Sequence, residues 1–293
     1  MSTPRFLDLP PDVRRLDIDT PRGTFAVLEA LPGSGVPERY PALLVPGYTG
    51  SKEDFIAVLH TLARAGRRRV IALDMRGQYE TPGEDDPAAY TCAALGSDIN
   101  ALLDVLGPDQ VHLVGHSFGG LVCREAVLSS PEQVASFTLM SSGPAAVSGQ
   151  SAQNAQALSE AVPQIDMEQI WALKLGPDAV AKGVPAEVVA FLRDRMLKNS
   201  TSGLVGMAQA ILSCADRVDE LAKVSHDAGL PILVIYGEDD NAWEPRVQAV
   251  MADRLAADKI VIPGAAHSPA VEAPETTASA LTAFWNRAER GGR

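Results

Sequence analysis

The sequence predicts an α/β fold: a doubly wound, mostly parallel sheet of eight strands, helices on both faces, and a helical segment inserted late in the chain. Three observations carry this. Short, continuously apolar runs recur along the chain, helix-length stretches separate them, and one connection is far too long for a loop. Hydrophobic residues make up 46% and charged residues 21% of the 293, proportions that exclude disordered and collagen-like chains.

Each element has its local reason. Residues 16–19 alternate, TPRG turns the chain, and 24–30 run extended, which reads as an opening hairpin. Apolar runs follow at 42–45, 70–73, 111–114, 137–140, 232–236 and 259–262, a length and character suited to strands buried on both faces of a parallel sheet. Helical stretches at 52–65, 93–106, 118–129, 243–256 and 274–290 lie between them, so the units wind as right-handed crossovers. Between Ser142 and Pro231 this rhythm breaks for about 90 residues. Met167, Trp171 and Leu175 are spaced by four there, as are Val188, Leu192 and Met196, with Pro163, Pro177 and Pro185 as punctuation. Residues 143–204 are therefore expected to form a helical cap over the carboxyl edge of the sheet, between core segments 1–142 and 205–293. Residues 207–224 then return as one core helix. The same spacing also fits additional core helices.

Charge narrows the partners. Basic residues number 25 and acidic residues 37, a net charge of −12 that repels phosphate backbones and anionic bilayer faces. Neither a nucleic-acid nor a membrane partner is expected. No apolar run approaches the ~20 residues of a membrane span, and the opening MSTPRFLDLPPD lacks a basic-then-apolar leader. Cys92, Cys123 and Cys214 are odd in number and far apart in sequence, so the expectation is a reduced, cytoplasmic protein without a disulfide framework.

The chemistry concentrates at Gly115-His116-Ser117-Phe118-Gly119-Gly120, directly after one apolar run and directly before a helical stretch. A G-x-S-x-G pentapeptide alone is weak, but in this context it predicts a tight strand-to-helix turn that lifts the Ser117 hydroxyl above the sheet edge. The Phe118 amide then sits at a helix N-terminus, facing any negative charge that develops beside Ser117. A serine hydroxyl needs a base, and the base an orienting carboxylate. Both follow at the carboxyl ends of later strands: Glu238-Asp239-Asp240 after the run ending at Tyr236, and His267 after the run ending at Ile262. The residues alone leave open which of the three acids serves. Ser117 emerges at the same sheet edge, so the three positions converge, in the order serine, acid, histidine.

With these pieces in hand, the chain resembles the α/β-hydrolase superfamily, on its serine-nucleophile esterase and lipase side, from about Arg15 to Arg290. The matching segments are VPGYTGS, LDMRG, GHSFGG, YGEDD and GAAHSPAVEAPE. The resemblance implies Ser117 as nucleophile, His267 as general base and Asp240, three residues after Gly237, as orienting acid. It implies a second oxyanion-hole amide from the loop after the first buried strand, here Pro46-Gly47-Tyr48, and so Tyr48 beside Phe118. Proline replaces the usual histidine of that loop, removing a bracing side chain but not the amide. The Tyr48 ring is expected either to overhang the substrate or to pack under the cap. Asp74 and Arg76 resemble the family's D-x-R-G turn and are expected to form an ion pair. Gln78 and Tyr79, larger than the residues usual after it, are expected to narrow the substrate mouth.

A serine nucleophile implies acyl chemistry: cleavage of an ester, thioester or lactone of a small, mostly apolar acyl substrate. A carbon–carbon hydrolase or lyase shares the same residues, and a non-catalytic ligand-binding protein of the same fold is the rival of a different class. Met167, Trp171 and Met196 offer polarizable surface for the substrate, or form the cap's own core. No cofactor and no metal site is expected: His112 and His116 stand ~13 Å apart along a strand, too far to share an ion. The expected state is a monomer or homodimer.

Overall fold

The structure, a computed structural model, describes residues 2–107 and 110–291. Its sheet contains β1 (Val13–Thr20), β2 (Gly23–Ala30), β3 (Ala42–Val45), β4 (Val70–Leu73), β5 (Val111–His116), β6 (Val134–Met140), β7 (Ile232–Gly237) and β8 (Asp258–Ile262). They lie in the order β1-β2-β4-β3-β5-β6-β7-β8. The opening hairpin pairs antiparallel and joins β4 antiparallel, whereas β3 to β8 pair in parallel.

Helices α1 (Ile56–Gly66), α2 (Cys92–Leu106) and α3 (Phe118–Ser129) fill the first crossovers. Between β6 and β7 run α4 (Gly149–Ala161), α5 (Met167–Ile170), α6 (Gly176–Ala181), α7 (Ala186–Lys198), α8 (Thr201–Ser213) and α9 (Val218–Ala228). The chain closes with α10 (Pro245–Leu255), α11 (Pro269–Glu272) and α12 (Pro274–Gly291). Among the described residues no helix is long and apolar enough to cross a membrane.

The four-residue strands are apolar throughout because both their faces are covered. Leu43, Val45, Ile71 and Leu73 pack with α2 and α3 through Leu102 and Leu121. Their neighbours Ala42, Leu44, Val70 and Ala72 pack on the other face with α1 and α12 through Leu59 and Trp285. Burying a leucine fully, as at Leu43 and Leu44, stabilises by roughly 2–3 kcal/mol, so a charged residue at either would break the layer. A third cluster, with Trp171, Val188, Leu192, Met196 and Leu204, lies among the helices of the long insertion, apart from both faces.

Two expectations need correcting. The single helix over 207–224 is two, α8 and α9, because Asp216 breaks the run by accepting the Val218 N–H at 2.9 Å; α8 also spans the expected boundary at 204/205. Asp74 and Arg76 do not pair. The turn sends them apart, Asp74 to the buried Lys52 ammonium at 2.8 Å and Arg76 to Asp98 at 2.7 Å. Cys92 and Cys214, 122 residues apart in sequence, bring their sulfurs to 3.5 Å as free thiols.

Candidate active site

The strand order fixes where a site can form. β3 has β4 on one side and β5 on the other, so the loops leaving the carboxyl ends of β3 and β5 diverge and open a crevice, the usual place for a ligand in such sheets. Ser117 stands there as the only residue between β5 and α3. Its φ of 55° and ψ of −123° lie in a region that side chains rarely adopt. Two bonds hold the strained turn: Ser117 N–H to Met140 C=O at 2.8 Å and Gly120 N–H to Ser117 C=O at 2.9 Å. Gly119 is needed for close approach, since a Cβ there would lie 2.4 Å from the Pro46 carbonyl oxygen.

His267 follows β8 and meets Ser117 from the side. Its Nε2 lies 3.0 Å from Ser117 Oγ and its Nδ1 lies 2.9 Å from Asp240 Oδ1. A carboxylate only accepts, so Nδ1 carries the proton and Nε2 is left as an acceptor for the serine hydroxyl. Of the three acids after β7, Glu238 and Asp239 are exposed and Asp240 is buried. Burial pushes the Asp240 carboxyl up, but the bond and charge of His267 and the Ala242 and Gln248 donors outweigh it and hold it below its ordinary value.

Two contributors had no clear signal in the sequence. Gln248, on α10, donates to Asp240 Oδ2 and to the Trp243 carbonyl, each at 2.8 Å. His116, the variable residue of the turn, reaches across to the His267 carbonyl at 2.7 Å. That carbonyl can only accept, so His116 is protonated on Nε2. Burial, reinforced by the neighbouring His267, lowers its pKa to about 4, so it stays neutral while bracing the His267 backbone.

The loop after β3 runs beside the serine. A Cβ on Gly47 would come within 2.9 Å of Ser117 Cβ, so only glycine lets this peptide lie against the hydroxyl. Among the described residues neither the Tyr48 N–H nor the Phe118 N–H donates to a backbone or side-chain acceptor. The Tyr48 ring packs between the sheet core and the insertion's cluster, and its hydroxyl donates to the Leu204 carbonyl at 3.1 Å. Just downstream, the buried Arg195 of α7 donates to Asp54 at 2.8 Å and Ser51 at 3.2 Å, tying the loop to the insertion. Gln78, expected at the substrate mouth, is instead buried beneath the loop. Its Nε2 donates to the Gly47 carbonyl at 2.8 Å and its Oε1 accepts the Met75 N–H at 3.1 Å.

Met167, Trp171 and Met196 come together, but with one another's neighbours. Met196 is fully buried and Trp171 is 6% exposed within the insertion's cluster, and Met167 is half-buried at its edge. This packing is the core of the insertion.

A family model described as the alpha/beta hydrolase fold matches residues 40–274. The chain belongs to this family. Among its curated relatives, the dihydrolipoyllysine-residue acetyltransferase component of an acetoin cleaving system of Pseudomonas putida is 30% identical over 262 residues, which is 83% of this chain and 63% of that one. A hydrolase from Pseudomonas aeruginosa is 26% identical, with a TM-score of 0.73 over 92% of this chain and 98% of that one. A thermophilic esterase from Thermogutta terrifontis shares the fold at 24% identity, with a TM-score of 0.74 over 94% and 99%. The match to the first curated relatives spans between 36% and 63% of their own length.

Proposed function

We propose that this alpha/beta hydrolase is a serine hydrolase that cleaves the carboxylic ester of a small, mostly apolar substrate through an acyl-enzyme. The observation that carries the reading is the hydrogen-bonded chain from Ser117 Oγ through His267 to Asp240, mounted on a strained turn beside two unpaired N–H groups. In this reading Ser117 Oγ attacks the ester carbonyl while His267 Nε2 takes its proton, and Asp240 stabilises the imidazolium that results. The Tyr48 and Phe118 amides donate to the oxyanion, the latter at the positive, N-terminal end of the α3 dipole. His267 then returns the proton to the departing alkoxide, which leaves as alcohol. Water, deprotonated by His267, attacks the acyl-serine, and the acid is released with the serine restored.

An ester is favoured over an amide because the acyl-serine is itself an ester, so the first transfer is close to thermoneutral. A lactone is itself an ester, and transfer from a thioester is more favourable still. The segment 143–204 is proposed as a cap over this crevice, supported by its separate hydrophobic cluster and by the Tyr48 and Arg195 ties to the loop after β3. Of the three apolar candidates only Met167 retains partial exposure to meet an acyl chain.

The test is intact mass after treatment with a fluorophosphonate. One adduct on the parent, lost in Ser117→Ala, supports an activated serine, and hydrolysis of p-nitrophenyl esters of graded chain length then reads substrate size. No adduct on folded protein would move the non-catalytic binding reading ahead.

A further inference from the structure

The loop after β3 carries Pro46 where a side chain able to brace it would otherwise stand, and yet its Gly47 peptide lies close against Ser117. Gln78 is the brace. Its side-chain amide is satisfied at both ends, donating to the Gly47 carbonyl at 2.8 Å and accepting from Met75 N–H at 3.1 Å. A carbonyl only accepts and an amide N–H only donates, so the reversed amide would lose both bonds and the orientation is forced. Gln78 itself has little freedom. It is 2% exposed, its N–H donates to Met75 C=O and its C=O accepts from Thr81 N–H, each at 2.9 Å, and it sits between Gly77 at φ 74° and Tyr79 at φ 42°.

What this brace does follows from peptide geometry. In a trans peptide the C=O of one residue and the N–H of the next point in opposite directions across a rigid plane. Gly47 C=O receives Gln78 Nε2 and Gly50 N–H, the latter at 3.0 Å. Two donors on one side fix the plane and aim the Tyr48 N–H to the other. The same plane abuts Ser117, with a Cβ at Gly47 only 3.2 Å from Ser117 Oγ. The geometry points to Gln78 as the positioning residue of the oxyanion hole, setting the direction of the Tyr48 N–H through the Gly47 carbonyl. This assignment rests on the serine-hydrolase reading above. It also explains why a large polar side chain follows the Asp74-Met75-Arg76-Gly77 turn and is buried rather than lining the mouth.

The test compares the parent with Gln78→Met and Gln78→Glu, using the rate of fluorophosphonate labelling and the kcat and KM for p-nitrophenyl butyrate. Methionine keeps the volume and removes the donor. Labelling and kcat are expected to fall about 10- to 100-fold, less than for deleting an oxyanion donor outright, while KM stays within about twofold. Glutamate adds a readout that a merely structural role would not move. When protonated it donates to Gly47 as the amide does, and when ionised it repels that carbonyl. The Gln78→Glu to parent ratio is therefore expected to approach one at acid pH and fall as pH rises, whereas the Gln78→Met ratio stays flat. If Gln78→Met does not fold, the pH dependence of Gln78→Glu decides. Labelling by Gln78→Met at the parent's rate, or a pH-independent Gln78→Glu ratio, overturns the assignment and leaves the serine reading intact. A parent that forms no adduct removes both.

Discussion

Replacing Asp240 by asparagine keeps size and shape and removes one negative charge, so it isolates what the carboxylate does for His267. The contact is 2.9 Å between Nδ1 and Oδ1, and the Asp240 side chain is fully buried. With charge centres ~4 Å apart and an effective dielectric of about 20, losing the attraction to an imidazolium costs ~4 kcal/mol. At ~1.4 kcal/mol per tenfold, this is a fall in kcat of about a thousandfold. The surrounding donors decide whether the loss is larger. Among the described residues Oδ1 accepts from both His267 and Ala242, and Oδ2 from Gln248 alone. The asparagine oxygen therefore prefers the Oδ1 position, and its NH2 is left facing the Gln248 donor, a mismatch of ~1–3 kcal/mol in stability. If that mismatch flips the amide instead, its NH2 faces Nδ1 and drives the proton to Nε2, and the fall extends to about ten-thousandfold. The assay is kcat for p-nitrophenyl butyrate with a thermal melt as the folding control, and with the exposed neighbours as Asp239→Asn and Glu238→Gln, both expected within about twofold. A loss under tenfold in folded Asp240→Asn, or an equal loss in Asp239→Asn, would refute the reasoning.

Ser117→Gly should abolish fluorophosphonate labelling and yet raise stability by about 1 kcal/mol, because glycine relieves the strain at φ 55°; a lower melting temperature would count against strain. Gly119→Ala drives a methyl into the Pro46 carbonyl at 2.4 Å and is expected to cost about 1–3 kcal/mol and most of the labelling, so a variant that melts and labels like the parent contradicts the close packing. Burial, as the largest cause, lowers the His112 and His116 pKa values to about 4 from 6.5. The unfolded chain then binds more protons between those pH values, so stability is fully present above pH 6.5 and drains as pH falls towards 4. Each histidine contributes on the order of 3 kcal/mol, and denaturant titrations of His112→Gln should show a shallower acid slope. Trp171→Ala should cost the insertion's cluster roughly 3–5 kcal/mol, read as faster hydrogen exchange in α7 and the start of α8 with the sheet unchanged; uniform loss across the molecule would mean the insertion has no core of its own.

Much of this molecule was legible along the chain. Runs of four apolar residues suit strands covered on both faces, and 42–45, 70–73 and the helix at 118–129 fall where the pattern put them. The turn holding Ser117 was legible because a strand end, a glycine spacing and a helix start are all local. So was the convergence of Ser117 with residues after β7 and β8, since the carboxyl ends of parallel strands share one edge. Contacts made by side chains across the fold were not legible, because the sequence records which residues are near a turn but not the direction in which the turn sends them. Asp74 and Arg76, two residues apart, go to Lys52 and Asp98 rather than to each other. Cys92 and Cys214 meet although nothing in their spacing says so. Asp240 is separated from Asp239 only by which carboxylate the backbone turns inward, and Gln248 and Gln78 take their roles from carbonyls and carboxylates that arrive from distant segments. Periodicity and turn chemistry are set by neighbours along the chain, whereas hydrogen-bond partners are set by distance in space, which exists only once the layers have packed.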